Sequence, residues 1–350
     1  MNLQQQVPLA PFTTLGVGGT ARYLVEARTT EEVRAAVDYA RSHQLPLFVL
    51  GGGSNLVVAD AGFSGLVLKI AVGGVERRSE SGKEIFEAGA GENWDALVER
   101  AVAAGCGGLE CLSGIPGTVG GTPVQNVGAY GQEVSQTIGE VLVLDLRDGQ
   151  VRSLCNEACG FNYRSSIFNS RERGRFIVLR VTYALAPGAE PQLRYRDLQN
   201  YFAGKEGRPS LLQTRDAVRE IRRGKAMLIV PGDEDCRSAG SFFKNPVLGP
   251  GEYEALVTRA EARGAQVPSY PAPGQHYKVP AAWLVEQSGF HKGYGRGRVG
   301  ISRKHALAIV NRGGATASEI VGLKNDIQRG VEDQFGVRLE PEPVFVGFDN

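Results

Sequence analysis

Cysteine and histidine are scarce in this chain, and the few present are not spaced for metal or disulfide chemistry. The five cysteines, Cys106, Cys111, Cys155, Cys159 and Cys236, are an odd number, and Cys155 and Cys159 have three residues between them, where a structural zinc knuckle typically has two. The four histidines, His43, His276, His291 and His305, form neither an HxxxH nor an HExxH pattern. No metal site and no disulfide framework is expected. An excess of either charge is missing too: 39 Lys and Arg face 38 Asp and Glu, a net charge of +1. Such a balance gives no basic field for collecting phosphates, so nucleic acid is not an expected partner. No stretch approaches the roughly 18 apolar residues that span a bilayer, and MNLQQQVPLAPF has no basic segment leading into an apolar run. A cytoplasmic protein without membrane insertion is expected. No GxxxxGK[ST] occurs, which excludes a P-loop.

What the chain has in abundance is glycine. At 350 residues and 42% hydrophobic it is long enough for two or three domains with their own cores. Its 47 glycines are about twice the usual share. They cluster in GVGG at 16–19, GGGSN at 51–55, GIPGTVGG at 114–121 and GAYG at 128–131. Glycine allows positive φ and lets backbone N–H groups approach an anion without a Cβ in the way, so several such loops suggest a pyrophosphate cradle.

Local context separates these clusters. Residues 16–21 fit a GxGxxA pattern, but Pro11-Phe12-Thr13-Thr14 before them makes a poor strand and Tyr23-Leu24-Val25 after them reads as strand; a dinucleotide site of the strand-to-helix kind is not expected there. Thr29 and Glu32 form a capping-box pattern ahead of a helix with Val33, Val37 and Ala40 on one face, running to about His43. Pro46 then ends it, Leu47-Phe48-Val49-Leu50 reads as a short buried strand, and GGGSN turns into a second strand, Leu56-Val57-Val58. In this order loop amides, rather than a helix dipole, would hold phosphate. A second helix carries Trp94, Leu97, Val98, Ala101 and Val102 on one face, with Gly105 as its C-terminal cap. The GIPGTVGG loop that follows, with Gln125-Asn126-Val127, is nearly free of charge and rich in hydroxyl and amide donors. That composition suits an isoalloxazine ring and pyrophosphate, and a bound flavin is the inference.

Residues 240–246, Gly-Ser-Phe-Phe-Lys-Asn-Pro, set one hydroxyl, Ser241, between a permissive glycine and a Phe-Phe wedge, with a cation and an amide behind. Together with the glycine clusters, Tyr163-Arg164-Ser165-Ser166-Ile167-Phe168, Lys278-Val279-Pro280-Ala281-Ala282-Trp283-Leu284 and Leu339-Glu340-Pro341-Glu342, this resembles the UDP-N-acetylenolpyruvoylglucosamine reductases of bacterial peptidoglycan synthesis over nearly the whole chain. The resemblance implies an α+β architecture: a two-lobed FAD-binding fold of the vanillyl-alcohol-oxidase type plus a C-terminal α+β substrate-binding domain. It implies non-covalent FAD, NADPH as hydride donor, and UDP-N-acetylglucosamine enolpyruvate as substrate, reduced to UDP-N-acetylmuramate. It further implies that Gly51, Gly52, Gly53, Ser54, Asn55, Ser113, Gly114, Ile115, Pro116, Gly117, Gly120, Gly121, Asn126, Gly128, Ala129 and Tyr130 bind the cofactor.

By the same resemblance Ser241 is the proton donor, Arg164 stabilises the enolate, and Glu342 is the third catalytic residue, with Glu340 its rival. Serine is a weak acid, so nearby cations, Lys244 first, matter to its role. Tyr195 matches a tyrosine over the diphosphate in the family's larger class, Tyr270 and Lys278 keep the family's spacing for nucleotide contacts, Lys225 and Asn245 are further diphosphate candidates, and His305 is a candidate for the uridine. The chain departs from the family at Thr13, where asparagine is common, at residues 226–236, and after Glu342, where Pro343-Val344 replaces Val-Arg. Expected domains are 1–72 and 73–213 for the cofactor, the former joined by a final strand near 338–350, and 214–337 for the substrate, with the catalytic centre between them. Thr316 and Glu319 cap a last helix with Ile320, Leu323, Ile327, Val331 and Phe335 as its core stripe. With no separate dinucleotide motif, NADPH and substrate would use one cleft in turn. A monomer is favoured, and a different FAD oxidase or dehydrogenase, or a non-catalytic flavin or UDP-sugar sensor, are the competing readings.

Overall fold

Along Phe176–Pro187 every second residue is apolar, and Ile177, Leu179, Val181, Tyr183 and Leu185 are all buried, the pattern of a strand with one face on a core. In the computed structural model, which describes residues 1–348, this strand is the middle of an antiparallel sheet. It lies between Ile138–Asp145, extended by Val151–Cys155, and Lys83–Gly89, extended by Val75–Glu80. A smaller sheet has the order Leu3–Pro8, Thr20–Ala27, Phe63–Ile70, Leu47–Leu50, its last pair parallel. Leu47–Leu50 forms where the sequence places it, but only Leu50 is buried, because the strand is the edge of its sheet.

Helices α1 (Thr30–Ser42) and α2 (Trp94–Ala103) bury the predicted faces, Val33, Val37 and Ala40 on one and Trp94, Leu97, Val98, Ala101 and Val102 on the other. The Thr29 hydroxyl accepts from Glu32 N, but Glu32 reaches one residue beyond the expected box and accepts from Arg28 N at 2.7 Å. Gly105 follows α2 with φ +69, the left-handed C-terminal cap. Three helices come next: α3 (Arg196–Phe202), α4 (Leu211–Gly224) and α5 (Pro250–Glu261). Then α6 (Ala281–Gln287) precedes α7 (Ala317–Phe335), which carries the predicted stripe, all of it buried, and ends at left-handed Gly336.

The chain divides into two compact units. The first comprises Met1–Val7, Ala21–Gly53 and Ser64–Leu228, and holds both larger sheets and α1 to α4. The second comprises Pro8–Thr20, Ser54–Phe63 and the described residues from Ile229 onward, with α5 to α7. Its core joins the α7 stripe to Phe242, Phe243, Leu284, Val285 and Leu339. Val344–Val346 pairs in parallel with Leu56–Val58 of this unit. No helix among the described residues is long and apolar enough to cross a membrane.

Candidate functional site

In the first unit two glycine loops meet backbone to backbone. A Cβ on Gly52 would lie 2.5 Å from Gly117 Cα, and one on Gly51 would lie 3.0 Å from Thr118 Oγ1. Any side chain at Gly52 would force the loops apart. The Thr118 hydroxyl is buried and has no hydrogen-bond partner among the described residues. A buried hydroxyl without a partner is costly, so a donor of this kind facing a glycine cradle suits a phosphate oxygen. Thr118 stands within the GIPGTVGG motif but was not singled out in the sequence; its signal is burial, which the motif does not display.

The same loop is anchored from below by side chains that the sequence does not mark. Asp95 Oδ1 accepts Gly114 N at 2.7 Å and Arg215 Nη1 at 2.6 Å, and Asp95 Oδ2 also receives Arg219. Burial alone would raise the Asp95 pKa, but the Arg215 and Gly114 hydrogen bonds and the charges of Arg215 and Arg219 hold it below the usual carboxylate range. On the other side of Gly114, buried Arg222 donates Nε to Gly114 O at 3.1 Å and Nη2 to Met227 O at 2.7 Å. All three arginines come from α4. The Ser113 hydroxyl is committed to Glu110 O at 2.7 Å, and the buried Glu110 carboxylate accepts Gln132 Nε2 and Gly108 N.

Arg164 sits at φ +52, a left-handed conformation unusual for a side-chain-bearing residue. The turn is closed by paired bonds between Asn162 and Ser165, and Asn169 Nδ2 donates to Arg164 O at 3.1 Å. Asn126, itself at φ +46, donates Nδ2 to Asn162 O and to Glu133 Oε2 and accepts Ser135 N. Its amide thus joins the QNVGAYG loop to the arginine turn. A Cβ on Gly128 would stand 3.2 Å from Arg164 Nη1, so the guanidinium lies over Gly128. Tyr130, pushed up to about 12 by burial, meets the exposed Tyr195 edge-on at 5.5 Å. Tyr195 is the residue before α3. Lys225, at the C-terminus of α4, donates to Asp197 at 2.5 Å.

In the second unit the residues around Ser241 are placed by pairing. After left-handed Gly240, Phe242 N donates to Leu307 O at 2.8 Å, while Glu342 N donates to Phe242 O and Lys244 N to Glu340 O, each at 2.9 Å. Phe243 bridges Pro341 in the antiparallel sense. The segment carrying Ser241 and the segment carrying Glu342 are therefore neighbours, pinned by the buried Phe242 and Phe243 rings. Lys244 Nζ pairs with Glu340 Oε1 at 2.7 Å, so the rival carboxylate is engaged by the cation. Asn245 Oδ1 accepts Ala281 N at 2.9 Å and caps α6. Tyr270 and Val247 both stand opposite Lys278 in a three-stranded ladder, and His305 Nδ1 accepts Leu307 N at 2.9 Å.

Comparison with known proteins agrees with this layout. Residues 21–154 match the family profile described as an FAD binding domain. Residues 231–346 match the profile described as UDP-N-acetylenolpyruvoylglucosamine reductase, C-terminal domain. The UDP-N-acetylenolpyruvoylglucosamine reductase of Thermobifida fusca is 45% identical, with 98% of each chain covered. That of Streptomyces coelicolor is 46% identical, over 97% of this chain and 89% of its own. Among solved structures, the UDP-N-acetylenolpyruvylglucosamine reductase of Thermus caldophilus superposes with a TM-score of 0.65 at 29% identity, covering 99% of both chains.

Proposed function

The chain belongs to the UDP-N-acetylenolpyruvoylglucosamine reductase family and is an FAD-dependent oxidoreductase, and from that premise we propose that it reduces UDP-N-acetylglucosamine enolpyruvate to UDP-N-acetylmuramate at the expense of NADPH. The glycine loops and the Thr118 hydroxyl fit FAD: amides for its pyrophosphate, and a close approach that only glycine permits. FAD held by these loops would supply two-electron hydride chemistry between NADPH and the terminal vinyl carbon of the substrate. Every other task falls to side chains of this protein.

Hydride arrival at the vinyl carbon leaves negative charge on the enolpyruvyl carboxyl end and requires a proton at the neighbouring carbon. Arg164 offers a planar, permanently charged fork for that carboxylate. In this reading its strained turn fixes where the fork points, since a left-handed residue is retained when surroundings over-determine it. Glu342, in its acid form, donates a hydrogen bond to the enolate oxygen, and Ser241 donates the proton to the neighbouring carbon, its alkoxide being reprotonated from water. Tyr195, Lys225, Asn245, Tyr270, Lys278 and His305 bind the UDP-sugar. The observation that carries the assignment is the pairing of residues 242–244 with 340–342. It makes the segments that carry Ser241 and Glu342 neighbours, though they lie far apart in the sequence, and Lys244 pairs with Glu340.

The test is anaerobic stopped-flow absorbance at the flavin band. NADPH should bleach the flavin, and the enolpyruvyl substrate should restore it. In Ser241→Ala the second phase should slow by about 10²–10⁴, the usual contribution of a positioned acid, while the first persists. A flavin that stays reduced when the substrate is added would sink the reductase reading in favour of another FAD oxidase, and substrate binding without turnover would point to a sensor.

A further inference from the structure

We propose that Asn55 is a positioning residue for Glu342, fixing the backbone that carries the carboxyl; the proposal rests on the role given to Glu342 above. Glu342 stands between Pro341 and Pro343. Neither proline has an N–H, so Glu342 N is the sole backbone donor of residues 341–343, and it goes to Phe242 O. Proline at 343 also confines Glu342 to extended geometry and ends the antiparallel ladder there. The Glu342 carbonyl needs a donor from elsewhere, and the structure supplies it from Asn55, whose Nδ2 donates at 3.2 Å.

Asn55 holds the next peptide as well. Its own carbonyl accepts Val344 N at 2.9 Å, and from there Val344–Val346 runs in parallel register with Leu56–Val58. One asparagine thus grips the chain on both sides of Pro343, where it changes partner from the Phe242 segment to the Leu56–Val58 strand. Thr14 makes a parallel tie, donating Oγ1 to Ser238 O at 2.7 Å, three residues ahead of Ser241, with Ser54 O at 3.3 Å. The first tie starts from the end of the GGGSN loop, and the second from Thr14, which is itself bonded to that loop at Ser54. The family resemblance implies a cofactor role for Asn55, and its amide nitrogen donates to the Glu342 carbonyl.

The test compares the two half-reactions and adds a readout that needs no turnover. Asn55→Asp keeps the shape and sets an acceptor against the Glu342 carbonyl. The substrate-dependent reoxidation should fall at least about tenfold more than reduction by NADPH, the size of one lost buried hydrogen bond. Hydrogen exchange at the Glu342 and Val344 amides should accelerate, with Phe242 N unchanged. Asn55→Ala, which removes the donor without adding charge, should show the same pattern at smaller size and serves if the aspartate variant does not fold. Equal slowing of both half-reactions with loss of flavin would overturn the proposal and make Asn55 a cofactor ligand only. Unchanged exchange would overturn it as well. If Glu342→Gln reoxidises at the wild-type rate, the catalytic reading of Glu342 falls, while the exchange result still decides whether the clamp exists.

Discussion

The first unit presents its candidate residues on loops shaped by glycine and left-handed backbone, whereas the second presents them on extended segments held by pairing across long sequence separations. Gly52, Gly117, Asn126, Tyr130 and Arg164 belong to the first kind, and four of the five have positive φ. Ser241 and Glu342 belong to the second, and the ion pair that closes their ladder joins residues 96 positions apart. The difference follows from the tasks proposed. An anion is held by main-chain amides, which glycine exposes, while a proton donor and a carboxyl must keep a fixed separation, which backbone pairing between packed extended segments favours.

Variants can break this contrast. The largest effect is expected at Phe242, fully buried beneath the Ser241 ladder and edge-on to Phe243 and Phe345. Phe242→Ala should cost about 3–5 kcal/mol, the usual range for emptying an aromatic core site, read by urea denaturation. A loss below about 1 kcal/mol would mean the ladder stands without its core. Next comes Gly52→Ala, whose Cβ would strike Gly117 Cα and carbonyl carbon. About 1–3 kcal/mol of strain is expected, and the flavin retained through gel filtration should drop sharply; wild-type flavin content would show that the loop contact is not what holds it. Arg222→Leu should cost about 1–3 kcal/mol by leaving the Gly114 and Met227 carbonyls unpaired. Fluorescence titration should show weaker flavin binding as well, because Gly114 moves; stability lost with flavin affinity intact would confine Arg222 to the core.

Much of this fold is legible in the sequence because local rules and tertiary packing agree. The stripe on α7, the Gly105 cap and the strand before GGGSN each follow from periodicity or turn chemistry within a few residues. The supports of the site are a different matter. Asp95, Arg215 and Arg222 look like solvated charges on amphipathic helices, and only the fold turns α4 so that its arginines meet Asp95 and Gly114. Thr118 looks like any loop threonine until its hydroxyl is seen to be buried. Nothing in Pro8–Thr20 or Ser54–Phe63 announces that these short segments belong with residues beyond 229, since that association is made by hydrogen bonds such as Gly19 N to Ala59 O and Ala59 N to Val346 O. Motifs carried the candidate site further than physics alone could: Ser241 and Glu342 are recognisable, but their adjacency is a property of the ladder.

The smallest predicted effect shows the same division of labour at a helix end. The first N–H groups of α7 have no partners within the helix, and all find acceptors. Thr316 N goes to Glu319 Oε2, Ala317 N and Ser318 N go to the Asp60 carboxylate, and Glu319 N goes to Thr316 Oγ1. The Thr316–Glu319 box is readable in sequence; Asp60, 257 positions away, is not. Asp60→Asn keeps one acceptor but removes the charge at a helix N-terminus, and should cost about 1 kcal/mol at neutral pH. Partial burial would raise the Asp60 pKa, but hydrogen bonds from the Ser318 hydroxyl and from the Ser318 and Ala317 amides outweigh it and hold it below its ordinary value. A depressed folded-state pKa gives stability that is present above the unfolded-state value, about 3.9, and lost as pH falls through the folded value. Denaturation curves of wild type and Asp60→Asn should therefore differ at pH 7 and converge as the pH drops below about 4. A difference that stays constant down to pH 2 would show that Asp60 acts on α7 through shape rather than charge.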